Sequence, residues 1–219
     1  MKMSVDELIS MKVQGISPEY VKQMRAATGQ TLAPDALVRM KVQGVTPEYV
    51  KQMQDLGMQT DCDDIIGLKA QGVTPDYIRR MHELGLRPAP GDIIGLKVQG
   101  VTPEYVREMR RLDLKLESDN IIGMKVQGIT LDYVKSLQRL GLDPDVNELI
   151  DLKVQGVTAE YIKKLQSAGF KVGVDEAIAA KIQGITSDFI AKARSHGFKN
   201  LALEELIALK NAGVLDDEK

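Results

Sequence analysis

Apolar and polar positions along the chain repeat as a block rather than as one long helix or strand. In the stretch Lys41 to Met53, KVQGVTPEYVKQM, an apolar segment runs into a glycine. A Thr-Pro-Glu follows, and then apolar residues recur at helical spacing. The block returns as KVQGISPEYVKQM from Lys12, KAQGVTPDYIRRM from Lys69, KVQGVTPEYVREM from Lys97 and KVQGITLDYVKSL from Lys125. KVQGVTAEYIKKL from Lys153 and KIQGITSDFIAKA from Lys181 follow, and a diverged copy, KNAGVLDDEK, starts at Lys210. The lysines stand 28 residues apart, with 29 at the first and last steps. Two helices in each such period predict an all-α fold, an α-solenoid of seven antiparallel helix pairs plus a final helix. Residues 1–219 are expected to form one continuous repeat domain, with an acidic C-terminal end at 214–219.

The corner between the helices is the strongest local signal. Gly44, Gly72, Gly100, Gly128 and Gly156 sit where the first helix of each pair (helix A) ends, in the left-handed position that glycine adopts without steric cost. Thr46, Thr74 and Thr102 are N-caps of the second helix (helix B), followed by proline at the first helical position. Val45 serves both helices: it covers Met40 at the exit of helix A and meets Val50 at the entry of helix B. Ser4 and Glu7 form a capping box for the first helix. Helix B ends at a second glycine (Gly57, Gly85, Gly141, Gly169, Gly197), replaced once by Asp113, where a tolerated positive φ or a different cap is expected.

Helix B carries a clean apolar stripe, Tyr49, Val50, Met53 and Leu56. Helix A spreads Ile65, Ile66, Leu68 and Ala70 over a wider arc, as a helix packed on several sides does. Helices of about 9 to 10 residues are marginal alone and need their neighbours.

Several ladders run through the repeats. Lys69, Lys97 and Lys125 fall inside the apolar arc of helix A. Their stems are expected to pack while the ammonium reaches the helix C-terminal carbonyls; the sharper alternative is a line of lysines facing an anionic ligand. Tyr49, Tyr77, Tyr105 and Tyr133 are expected to pack between repeats, and Phe189 at the seventh place suggests that the ring matters more than the hydroxyl. The acids Glu19 to Asp188 are expected to serve the helix dipole, and the cations three residues later to pair with them. The glutamines from Gln14 to Gln183 are expected to bond backbone at the turn or between repeats, or alternatively to read an extended peptide. On helix A, Arg39, Gly67, Gly95 and Gly123 read as an outward-facing position where another backbone can approach closely.

Composition narrows the function classes. A net charge of −2 argues against a nucleic-acid binder that relies on bulk positive charge. Aromatics make up only 4% of residues, so the core is aliphatic. Cys62 is the only cysteine, which excludes an internal disulfide; its acidic neighbours disfavour the thiolate. No zinc-peptidase, phosphate-loop or nucleophile-elbow motif occurs. No cofactor is expected and no enzyme activity is indicated.

The runs E-L-I-D-L-K-V-Q-G-V-T-A-E-Y-I and K-V-Q-G-V-T-P-E-Y-V resemble short bacterial helical-hairpin repeats of poorly defined function, some attached to BlaR-like antirepressor metallopeptidases. The resemblance covers nearly the whole chain and implies an accessory or sensing module. The peptidase's zinc motif is absent, so protease activity does not transfer.

The leading expectation is a non-enzymatic scaffold for a protein or peptide partner. The alternatives are a sensory module for an anionic small molecule or glycan, and a self-assembling structural array. Neither nucleic-acid binding nor membrane insertion is expected. The absence of a visible signal peptide suggests a cytoplasmic setting, or an extracytoplasmic one if the chain is a fragment of a larger membrane protein.

Overall fold

The structure is a computed structural model that describes residues 4–58, 60–112, 114 and 116–215. The expected cap at Asp113, and the acidic end from Asp216 to Lys219, lie outside the described residues. Among those described, the chain is all-α: seven helical hairpins and a final helix arranged as an α-solenoid.

The A helices are α1 (Val5–Val13), α3 (Pro34–Val42), α5 (Cys62–Ala70), α7 (Pro90–Val98), α9 (Ser118–Val126), α11 (Val146–Val154), α13 (Val174–Ile182) and α15 (Leu203–Asn211). The B helices are α2 (Pro18–Thr28), α4 (Pro47–Asp55), α6 (Pro75–Glu83), α8 (Pro103–Met109), α10 (Leu131–Gln138), α12 (Ala159–Ser167) and α14 (Ser187–Ser195). The helices cluster into two compact units, Met1–Arg107 with Glu117–Ile122, and Glu108–Leu116 with Gly123–Lys219.

In the first unit α1, α3, α5 and α7 stack in sequence, as do α2, α4 and α6. In the second, α11, α13 and α15 stack, and α10 packs on α12. Each unit is therefore two layers, one of A helices and one of B helices, with the core between them. In the first unit that core holds Leu68, Ile78, Met81, Ile93 and Leu96, all fully buried. In the second it holds Leu137, Leu149, Leu152 and Ile162.

The corner forms as the sequence predicts. Gly44 has φ +69° and donates its N–H to the Lys41 carbonyl at 3.0 Å, while Val45 donates to Met40 at 2.8 Å. These are the two bonds of a Schellman turn, and they satisfy carbonyls the helix end would otherwise leave open. Gly72, Gly100, Gly128 and Gly156 repeat the conformation, with φ between +62° and +66°. Thr46, Thr74 and Thr102 each accept a hydrogen bond from the backbone N–H of the tyrosine three residues on, at 3.2 Å. The Ser4 and Glu7 capping box is also present. Val45 and Val50 are both buried at the corner. With the helix ends at these corners satisfied locally, stacking supplies the remaining stabilisation.

Candidate functional site: the outer face of the A helices

Successive repeats are joined by the tyrosine and lysine ladders. The hydroxyl of Tyr49 donates to the carbonyl of Val73 in the next repeat at 2.9 Å, and Tyr77 to Val101 at 2.8 Å. In the second unit Tyr133 donates to Val157 and Tyr161 to Ile185, at 2.8 and 2.9 Å. The ring packs between repeats as expected, and the hydroxyl adds a bond to the next repeat's backbone. The acceptor is the residue after the corner glycine, a backbone position that the identities of neighbouring side chains do not advertise.

The lysines complete the same junction. The ammonium of Lys69 stands 4.7 Å from the centre of the Tyr49 ring, and that of Lys97 5.0 Å from Tyr77. Lys153 lies over Tyr133 and Lys181 over Tyr161, at 4.4 and 5.0 Å. The ammonium thus goes to the preceding repeat's ring, not to its own helix end as expected, because the Schellman bonds already occupy carbonyls there. Lys125 is half-buried on α9.

Burial raises the tyrosine pKa values. Desolvation pushes Tyr77, Tyr105, Tyr133 and Tyr161 up to about 12, and raises Tyr49 as well. The stability these phenols supply is intact below pH 10, their ordinary value, and is lost as pH rises from there through 12. In an ultraviolet titration the tyrosinate band should therefore appear late and together with loss of helical signal. A band that develops fully near pH 10 with the helices intact would contradict the buried junction.

Gly67, Gly95 and Gly123 do not face outward. A Cβ added to Gly67 would lie 3.1 Å from Cδ1 of Ile94, one added to Gly95 3.2 Å from Ile122, and one added to Gly123 2.9 Å from Ile150. Each glycine is the socket for an isoleucine of the following A helix. The close approach read from the sequence is real, but it is made by the chain's own next repeat. Arg39 holds the same place in α3. It is exposed and pairs with Asp63 of the next A helix at 2.6 Å.

The exposed apolar surface lies elsewhere, on the second residue of the K-V-Q-G block. Val13, Val42 and Val98 in the first unit, and Val126, Val154 and Ile182 in the second, are 55 to 74% exposed. At 100° per residue, Val98 lies about 140° from Ile93 and about 160° from Leu96, the two core residues of α7. It therefore points away from the B layer, while Ile94 and Gly95 take the two flanks that meet neighbouring A helices. Ala70 is the smaller residue at this place in α5. Exposure of Ile9 on α1 has a different origin, since Ile9 holds the flank position that later A helices pack against the helix before them.

Two further features share this face. The glutamine after each valine caps helix A with its backbone, and the Gln43, Gln71, Gln99 and Gln155 side chains are exposed. Among the described residues these four amides make no side-chain hydrogen bond, contrary to the expected backbone contact at the turn or between repeats. Seven residues before Val42 and Ile182 stand Asp35 and Asp175, both exposed. Seven residues return to the same face within about 20° and about 10 Å along the axis. The outer A face thus carries an apolar row at one end of the helices and, in α3 and α13, a carboxylate at the other, where α7 and α11 have Gly91 and Asn147.

Compared with known proteins, the chain matches no family model and no curated protein.

The outer B face is mixed in charge. Asp76 pairs with Arg79 at 3.0 Å as the spacing predicts, Arg80 reaches Glu104 of the next repeat, and Glu160 takes Lys164 at 2.9 Å. Burial raises the Cys62 thiol pKa, with the Asp61 and Asp63 carboxylates adding to it, so the thiol is kept protonated as expected. No described helix is long and apolar enough to cross a membrane.

Proposed function

We propose that this protein is a non-enzymatic repeat scaffold whose outer A face docks a protein or peptide segment. The observation that carries this reading is the apolar residue left more than half exposed at one equivalent position in successive repeats. Scattered exposed valines are ordinary; their recurrence at one equivalent position, beside exposed amides without a side-chain partner, supports reading this face as a binding surface. The lysine ladder supports this choice over an anion site, because its ammonium groups are engaged by aromatic rings within the stack.

The test is a selection of binders from a random peptide library, followed by titration of each binder against folded variants. Val154→Ser with Ile182→Ser should weaken the selected binders at least tenfold while leaving the helical spectrum unchanged. Binders indifferent to these changes, or no binders, would overturn the reading. Sedimentation gives a second outcome: a dimer of the wild type that the same variant dissociates would assign the face to a second copy of the chain and would likewise overturn it.

A further inference from the structure

Resting on that reading, we infer that the outer A face takes an extended, cationic segment with an apolar residue at every third position, held in a polyproline-II conformation. Three observations lead there.

The first is the free amides. Gln43, Gln71 and Gln99 in the first unit, and Gln155 in the second, are exposed without a side-chain partner. An amide offers one acceptor and two donors. A docked helix has already spent its backbone groups internally, so only an extended segment presents backbone N–H and C=O groups for these amides to bond.

The second is the step between rows. Stacked helices lie about 8–10 Å apart, and the glycine sockets of Gly67, Gly95 and Gly123 let neighbouring A helices approach closely. A polyproline-II helix rises about 3.1 Å per residue with three residues per turn, so one turn covers about 9 Å. Every third side chain then meets the next apolar residue in the row: Val154, then Ile182. A β-strand alternates its side chains every second residue, about 7 Å, and drifts out of step.

The third is charge. Asp35 and Asp63 in the first unit, and Asp151, Asp175 and Glu204 in the second, are exposed on A helices. In the first unit Arg39 answers one of them, Asp63. Lysine or arginine between the apolar anchors would meet these carboxylates, and acidic segments would be repelled.

The experiment uses the full chain and three synthetic peptides of roughly twelve residues, four polyproline-II turns. The first repeats Val-Lys-Pro, the second repeats Val-Glu-Pro, and the third has the composition of the first in shuffled order. Titration by fluorescence anisotropy should show the first peptide binding at least tenfold more tightly than either other. Its affinity should fall with added salt and drop at least tenfold on Val154→Ser with Ile182→Ser. Equal binding of the shuffled peptide would overturn the threefold register, and preference for the glutamate peptide would overturn the charge assignment. If the first peptide fails while a library-selected binder still depends on the valines, the inference falls and the docking face stands. If no binder depends on them, both fall.

Discussion

Replacing Gly100 with valine should destabilise the protein by about 2–4 kcal/mol, more than any exposed single change in the same repeat. Gly100 has φ +66°, and nothing lies within 4 Å of an added Cβ, so the cost is one of backbone conformation and not of collision. An L-residue in the left-handed region costs about 1–2 kcal/mol, and a β-branched side chain costs more. Relaxing that strain by moving φ would break the Gly100 N–H bond to Lys97, at 3.1 Å, and the Val101 bond to Leu96, at 2.9 Å. Either route leads to a weaker corner. Gly100→Ala isolates the backbone term at about 1–2 kcal/mol. Thr102→Ala removes only the cap to Tyr105, about 1 kcal/mol. Urea titration should rank the variants Val, then Ala at Gly100 and Ala at Thr102 close together; a neutral valine would contradict the left-handed corner.

Tyr77→Ala should cost about 3–5 kcal/mol, the range for truncating a buried aromatic. The ring is 7% exposed, its hydroxyl holds the Val101 carbonyl, and Lys97 covers its face. Two milder variants separate these contributions. Tyr77→Phe keeps the ring and leaves the carbonyl short of its donor, for about 1–2 kcal/mol. A double-mutant cycle of Tyr77→Leu with Lys97→Met reads the cation–ring contact, expected at about 0.5–1 kcal/mol. Zero coupling in that cycle, or a Phe variant as stable as wild type, would show that the junction is not held in this way.

The corner was legible because its chemistry is local. Gly44, Val45, Thr46 and Pro47 each have one strong conformational preference, and the four agree. The helix count followed from the lysine spacing for the same reason. What the sequence hid was who faces whom. A helical wheel places Gly95 off the core but does not say that Ile122 fills it, because that depends on the stacking of the following helix. The valine of the K-V-Q-G block belongs to a wide apolar arc, and a repeated apolar residue reads as core. Its exposure becomes visible only once Ile93 and Leu96 are seen to define the buried direction. The bond made by the phenol hydroxyl is masked in the sequence because Phe189 replaces tyrosine once. At that junction Lys210 still covers the ring at 4.8 Å, and the Lys192 ammonium donates to the Leu215 carbonyl. The junction keeps part of its bonding there without a hydroxyl.

The docking face is tested most directly by a photoreactive side chain placed at Val154 on the A layer and, in a separate protein, at Lys163 on the B layer. Both positions lie in the second unit, and both replacements keep the core intact. With a library-selected ligand bound, the label at position 154 should crosslink to the ligand and the label at position 163 should not. Crosslinking from position 163 alone would place the partner on the other layer and contradict the account.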